Sequence, residues 1–545
     1  MTTRGAVNDR ALEDSRTLLG HPKGLYVLFL TEMWERFSFY GVRALLIFYL
    51  TQRFHFTDNK AFAIYGNYSA LVYLYPLIGG MLADRFFGYG KSVIYGAVLM
   101  IVGHIGLVLQ EVYFSGGGAA SFDLSGTSNH ISSSMFYFSL ALLIAGVGFL
   151  KSNISTMVGK LYPRESQLRD SGFTIFNWGI NIGAALAAFT CGYVGQKYGW
   201  AYGFGLAGSG MTLGLTIFLS GQQYLMDGAR SSATEDPTII PKLGPRKATF
   251  VIVFVASTVL LTWQLVQFNA LGYVVAGAVL LALCRAIYAG FKYLTRIERE
   301  RLWCSLIILA IWTSFAALVE QIGSSINLFN ERVVNRRIHF PHIPWLMGPS
   351  TPLPGHGVWS NGIEIQSAQL LGVTALLLLV LSPVFAWLWG YLDRRRLNPS
   401  TPAKLCISLF MMAAGYGIIV LGASRPDANG QINLFWLILL YFFFAIASLI
   451  VGPIGLSAIT RLAASRIVGF MVGLWMLGVA AGTYMAAKIA RFSSLDPAAM
   501  MGMRSSDVLV HYKVFFGYLA FAALILGLFF SFLTPVMRRW MHGLR

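Results

Sequence analysis

Between Gly24 and Gln52 the chain is mostly Leu, Phe, Tyr, Val and Ile, yet this stretch carries Glu32, Glu35, Arg36 and Arg43. It is longer than the roughly 20 residues that cross a bilayer. Each ionisable group in such a segment costs roughly 2.5–3.5 kcal/mol on insertion scales. The four sit at i, i+3, i+4 and i+11, so a helix gathers them on one face. A face of this kind belongs against protein or a water-filled path. Snorkelling to the interface is the alternative, but apolar sequence flanks the cluster on both sides. Charges held inside membrane segments mark substrate paths and proton relays. Two further candidates are as isolated. Lys151, in Gly146-x-Gly148-Phe149-Leu150-Lys151-Ser152-Asn153, lies about sixteen residues into its segment, roughly 24 Å along a helix, and at that depth it calls for a buried partner. Glu320 is the one acid between Arg301 and Glu331, and a carboxylate in that setting can take up and release a proton. His104 reads as a hydrogen-bonded helix histidine.

The elements that position these residues are long apolar helices. Of 545 residues, 56% are hydrophobic and 12% charged, against about 25% charged in soluble domains. Spanning segments lie at about 24–52, 61–83, 91–112, 135–161, 171–195, 200–222, 248–268, 271–293, 302–328, 365–391, 403–423, 432–460, 466–491 and 512–537, about fourteen in all. Their length excludes a transmembrane barrel. Met1 to Lys23 is polar and charged, so the first apolar segment is expected to remain as a span after a cytoplasmic N-terminal segment, 1–23. Cys191, Cys284, Cys304 and Cys406 all fall in apolar segments and are expected to be buried, neither paired nor metal-binding. The net charge of +18 does not indicate nucleic acid. Its cations cluster in alternate loops, including Lys160 to Arg169, Lys292 to Arg301 and Arg394-Arg395-Arg396. The positive-inside rule then puts both termini in the cytoplasm.

A weak repeat divides the chain. Gly80-x3-Asp84-Arg85 follows the second span, and Gly390-x2-Asp393-Arg394-Arg395 follows the corresponding later one. Two six-helix bundles, 24–222 and 302–540, with two inserted helices at 248–293 fit this pattern; that is the major facilitator arrangement. Residues 223–247 read as a cytoplasmic linker, and 330–363 as a long non-cytoplasmic loop. The fold class is thus an all-α membrane protein. An intramembrane enzyme would need a nucleophile–base or metal set, which the spacing does not provide. A channel would need a continuous polar path.

Glu32-x-x-Glu35-Arg36-Phe37-Ser38-Phe39-Tyr40-Gly41-Val42-Arg43 closely resembles the signature of the proton-dependent oligopeptide transporter family. The likeness continues at Gly79-Gly80-x2-Ala83-Asp84-Arg85, at Gly148 to Asn153 and at Phe173 to Gly183. Glu320-Gln321-x-Gly323-Ser324, Gln366-Ser367, Pro453-x-Gly455-Leu456-Ser457 and Trp475 complete it. The resemblance implies a proton-coupled importer of di- and tripeptides working by alternating access in a bacterial inner membrane. Its partners would be a small-molecule substrate, protons and the bilayer; no cofactor or metal is implied, and a monomer is expected. It implies that Glu32, Glu35, Arg36, Lys151 and Glu320 couple protons, and that Arg43 with Glu320 forms a gate. The substrate pocket would take Arg36, Tyr40, Arg43, Tyr73, Lys151, Asn177, Asn181, Glu320, Gln321, Gln366, Gln369, Ser448 and Trp475.

The departures from the family pattern bear on the substrate. Ser448 stands where the family keeps a glutamate for the peptide ammonium, and 432–460 contains no acid. Gln369-Leu370 replaces Asn-Pro. Phe39 and Asn177 replace tyrosines, Ser152 replaces a proline, and Thr483 stands where an asparagine is common. Gly66 takes the place of the histidine used by animal members. The cationic half of the pocket is intact while the anionic half is largely lost, so an N-modified peptide or another carboxylate is the alternative substrate.

Overall fold

The structure is a computed structural model. It describes residues 17–114, 126–162, 166, 168–225, 245–267, 270–338, 363–496, 500 and 502–543. The first group of helices is α1 (Lys23–Phe48), α2 (Asp58–Leu82), α3 (Tyr89–Phe114), α4 (Gly126–Lys160), α5 (Leu168–Ala187) and α6 (Trp200–Ser220). A π-helical turn at Ala188–Gly192 carries α5 on to Tyr198. Then come α7 (Pro245–Gln267) and α8 (Leu271–Lys292). The last group is α9 (Arg296–Val319), α10 (Ser325–Val333), α11 (Leu371–Arg394), α12 (Thr401–Ala423), α13 (Leu434–Leu462), α14 (Val468–Ala490) and α15 (Ser505–Trp540). Among the described residues, eleven helices are long and apolar enough to cross a membrane by composition. That set leaves out α1 for its charges, α2 for its Tyr and Asn residues, and α7, whose apolar part Ile252–Gln267 is shorter; α9 and α10 count as one span.

α1 packs on α5 and α6, α2 on α4, and α3 on α4 and α6; α9 packs on α13, α14 and α15, and α12 on α13 and α15. α7 lies against α4 and α2, and α8 against α14 and α9, so the extra pair fills the side of the molecule between the two groups. The most extensive contacts between the groups are α2 with α14 and α5 with α11. In lipid, close packing and small residues hold helices together in place of a hydrophobic driving force. The motif glycine Gly79 shows this, because a Cβ there would lie 2.2 Å from the Gly148 carbonyl oxygen. Gly66 sits as tightly where α2 meets α14, 2.1 Å from the Ala487 Cβ by the same measure. A side chain of any size at Gly66 would force the two groups apart.

The two copies of the Asp-turn motif are also alike in detail. Asp84 accepts a hydrogen bond from the Tyr89 hydroxyl (2.9 Å) and Asp393 accepts one from Asn398 Nδ2 (3.2 Å), each from a residue five positions on.

Two expectations need correction. Cys284 is exposed whereas Cys191, Cys304 and Cys406 are buried; α8 touches its neighbours along one edge only, so most of its surface is left outward. The segment 330–363 is not all loop. Its start is helical through Val333, Val334–Asn335 pairs in parallel with Ile432–Asn433, and Arg337–Ile338 pairs antiparallel with Ile363–Glu364. The remainder of that segment, 339–362, lies outside the described residues, as do 1–16 of the N-terminal segment and 226–244 of the linker.

Candidate functional site

The α1 charges form one buried cluster. Glu32, Glu35 and Arg36 are 1%, 0% and 2% exposed, which rules out snorkelling. Arg36 Nε donates to Glu32 Oε1 at 3.0 Å and stands 2.6 Å from Glu35 Oε2. The Arg36 guanidinium carbon lies 5.5 Å from the centre of the Phe39 ring. Among the described residues, both Glu35 oxygens, Glu32 Oε2 and Arg36 Nη2 have no hydrogen-bond partner. Lys151 on α4 completes the charge balance, two cations against two acids. Among the described residues it forms no ion pair within 4.0 Å, and its Nζ rests 4.7 Å from the centre of the Tyr73 ring. A buried ion cluster is stable only if its remaining lone pairs and protons are satisfied. Here Glu35 Oε1, Glu32 Oε2 and Arg36 Nη2 stay open, so the cluster has the capacity to receive a proton on a carboxylate and an anion on Arg36.

Two turns further along α1, Arg43 Nη2 donates to Glu320 Oε2, and Arg43 Nε donates to the Tyr65 hydroxyl at 2.9 Å. Its guanidinium carbon lies 5.6 Å from the centre of the Tyr40 ring. Glu320 sits where α9 gives way to a 3₁₀ turn at Glu320–Gly323 before α10 begins. The helix break sets the carboxylate against the first group of helices. The pair therefore ties α1 to the last group, at the end of the bundle toward which α1 and α9 both run.

A second tie lies beyond it, between residues whose local sequence is unexceptional. Arg332 on α10 grips Asp58, the first residue of α2, through both carboxylate oxygens at 2.7 Å each. Arg332 Nη1 also donates to the Tyr512 hydroxyl (3.0 Å), and the Leu495 N–H donates to Asp58 Oδ2 (3.0 Å). Asp58 follows the helix cap Thr57 and reads in sequence as an ordinary first-turn acid, while Arg332 falls in the presumed loop. Removing one partner of a buried pair strands the other charge. Arg332→Gln is expected to destabilise the protein by up to about 3 kcal/mol, the lower end of the range for such pairs because Leu495 still donates to Asp58. In thermal melts the double variant Asp58→Asn/Arg332→Gln should recover part of that loss. An Arg332→Gln melt equal to wild type would show the pair to be idle.

Several other sequence candidates have structural roles. The Gln321 amide is fully used. Its Nε2 donates to the Ala317 (3.3 Å) and Ala486 (2.8 Å) carbonyls, and its Oε1 accepts from Ser325 Oγ (2.6 Å). Gln366 and Gln369 cap the 3₁₀ turn Ser367–Leu370 reciprocally. Gln369 Nε2 then reaches the Phe189 carbonyl at 3.3 Å, and Gln196 Oε1 accepts from the Ala368 N–H at 2.8 Å. These bonds close α5 against the start of α11 at the same end as the two ion pairs. His104 is hydrogen-bonded to Ser38 Oγ at 2.6 Å, behind the α1 cluster, as expected.

Asn177 and Thr174 lie near the middle of α5 and are solvent-exposed, and Asn181, one turn on, is half-buried. Asn181 Nδ2 donates to the Asn177 carbonyl at 3.2 Å. Polar groups at that depth belong to a water-filled cavity rather than to lipid. Ser448 on α13 is half-buried and donates to the Phe444 carbonyl at 2.8 Å. Trp475 on α14 stacks face to face on Trp312 of α9, centroids 4.3 Å apart and planes 7° off parallel. Trp312 was not singled out in the sequence, where it is one aromatic among many in an apolar run.

Two helical groups tied by ion pairs at one end, with charges held between them, define a membrane carrier of the major facilitator type. A sequence profile of the POT family matches residues 90–345 and 356–504. The chain belongs to the POT family. It is 30% identical over 506 residues to the peptide transporter YePEPT of Yersinia enterocolitica, covering 89% of this chain and 91% of that protein. Its identity to the di-/tripeptide transporter of Lactococcus lactis is also 30%, over 85% of this chain and 88% of that one. Among solved structures, a mutant of peptide transporter POT in complex with alafosfalin superposes with a TM-score of 0.74 at 30% identity, covering 97% of both chains. A POT family transporter in complex with 5-aminolevulinic acid superposes with a TM-score of 0.72 at 25% identity, covering 96% of this chain and 98% of that one.

Proposed function

We propose that the protein is a proton-coupled symporter that imports di- and tripeptides by alternating access. In this reading it lies in a bacterial inner membrane with both termini cytoplasmic, the single chain being the transporting unit. The observation that carries the reading is the α1 cluster, where Glu35 has Arg36 as its ion-pair partner but Glu35 Oε1 and Arg36 Nη2 are left open among the described residues. Protonating a carboxylate there releases Arg36 or Lys151 for a substrate carboxylate, so proton and substrate binding favour each other. Arg43–Glu320 and Asp58–Arg332 would close the outer side while Asn177 and Asn181 line an open inner cavity, with Tyr40, Tyr73 and Trp475 as apolar walls. Counterflow in proteoliposomes tests the carrier mechanism. Preloaded unlabelled dialanine should draw in labelled dialanine with saturable kinetics; linear, non-saturating flux would contradict it.

A second reading concerns the substrate. Position 448 supplies a hydroxyl already committed to the Phe444 carbonyl, so α13 offers no charge to a substrate ammonium. Hydrogen bonds to charged partners contribute roughly 1.5–3 kcal/mol, against about 1 for neutral ones. Free dipeptides should therefore bind about three- to thirty-fold more weakly than they would with an acid there. N-acetylated dipeptides or simple organic anions are expected to bind at least as well as free peptides in thermal-shift titrations. Ser448→Glu should reverse the order. Tight binding of free dipeptides by wild type, with weak N-acetyl forms, would show that Glu320 or another group holds the amine.

A further inference from the structure

At the end of the molecule where the basic loops gather, a cavity of about 910 Å³ opens between the end of α11, the start of α12 and the end of α15. Its polar lining is Asp393, Arg396, Asn398, Ser400, Lys404 and Arg538. No part of the carrier cycle described above uses it. Three of these side chains are cations and one is an acid, so the cavity carries a surplus of positive charge. Asp393 already accepts the Asn398 amide. Arg538 Nε donates to Ser400 Oγ at 2.9 Å, which anchors that guanidinium at the rim. Lys404 Nζ stands 4.1 Å from the centre of the Trp389 ring. Ser400 precedes α12 without capping it through its side chain, so the positive end of the helix dipole faces the same cavity.

The chemistry that matches this surplus of cations is a phosphodiester anion with a net negative charge. Just below the rim, Trp387 on α11 and Phe532 on α15 are 62% and 82% exposed. Large apolar side chains turned outward at that level sit in the acyl region of a bilayer, with Trp at its interface. We propose that this cavity is a binding site for the headgroup of an anionic phospholipid of the phosphatidylglycerol type, taken from the inner leaflet. The phosphodiester lies among Arg396, Lys404 and Arg538, and the acyl chains run down past Trp387 and Phe532. The site would tie the α11–α12 turn to α15 and so brace the last helical group at the inner surface. The inference rests on the membrane orientation given above and not on the substrate.

Native mass spectrometry of the detergent-purified full chain tests it, with phosphatidylglycerol and phosphatidylcholine of matched acyl chains as probes and sodium phosphate as competitor. Phosphatidylcholine keeps the phosphodiester but has no headgroup donors and no net charge. Phosphatidylglycerol should be retained roughly tenfold more than phosphatidylcholine. Lys404→Ala/Arg538→Ala should erase that preference, while Arg394→Ala/Arg395→Ala, which removes nearby cations outside the cavity, should keep it. Arg396→Gln alters an exposed turn and leaves the α12–α15 contact alone, so it reports on the cavity even if the double alanine variant is not recovered folded; it should lower the preference. Equal retention of both lipids by wild type would overturn the proposal, as would an undiminished preference in Arg396→Gln. Full displacement of the lipid by millimolar phosphate would overturn the lipid source and assign the cavity to a soluble phosphate.

Discussion

Glu35→Gln is expected to abolish pH-driven accumulation of substrate while leaving exchange in place. The glutamine keeps the volume of the side chain but fixes it in the state that a protonated carboxylate resembles. Arg36 then stays bound to Glu32 (3.0 Å) and loses its 2.6 Å contact with the Glu35 charge. Lys151 also loses one of the charges acting on it. The cations of the pocket remain available to a carboxylate, so counterflow continues. What disappears is the dependence of their release on a proton, and with it the coupling between the pH gradient and substrate affinity, which operates in both directions. Uptake driven by an imposed gradient should fall to the equilibrating level, with counterflow within a few-fold of wild type. Unchanged uphill accumulation in the variant would remove Glu35 from the coupling mechanism.

Glu320→Gln is expected to shift the carrier toward its outward-open state. The Arg43–Glu320 pair exists where the two groups of helices meet, and the side chains are 7% and 11% exposed. Without the carboxylate, Arg43 keeps the Tyr65 hydroxyl and the Tyr40 ring but holds an unneutralised charge in the closed interface. Breaking a buried pair costs about 3–5 kcal/mol, or about two to three and a half orders of magnitude in an equilibrium constant. Opening the outer side hydrates Arg43 and removes that cost, so the closed-outside state alone bears it. Asp58–Arg332 and the Gln369–Phe189 bond resist the opening, which places the expected shift at the lower end. Spin labels on the outer ends of α1 and α10 should report longer distances in the variant at neutral pH, and wild type should show the same lengthening when acidified. A distance distribution identical to wild type would mean that the pair does not gate.

The sequence made the first helix legible because charges inside an apolar run have few structural explanations. Glu32, Glu35, Arg36 and Arg43 share a face in the structure as their spacing requires, and Glu320 meets Arg43. The helix count and the Asp-turn repeat were legible for a related reason: hydropathy and loop charge are read over many residues. Pair contacts between distant segments were not. Asp58 and Arg332 are separated by 274 positions, and each has an ordinary local reading. Gln321, Gln366 and Gln369 carry the opposite lesson. Their place in family motifs suggests a ligand, whereas their amides are taken up by helix breaks and caps at the closed end. Position 66 gained a physical reason only from the structure, because the Gly66–Ala487 approach leaves no space for the side chain that other family members carry.

The central claim is that a proton gradient drives a peptide-like substrate through this protein. Purified protein in sealed proteoliposomes, with an acidic exterior and neutral interior imposed at time zero, tests it with labelled dialanine and N-acetyl-dialanine side by side. Transient accumulation of at least one of them above the external concentration is expected, abolished by a protonophore and by Glu35→Gln. Uptake of both that only equilibrates, at the same rate with and without the gradient, would contradict it.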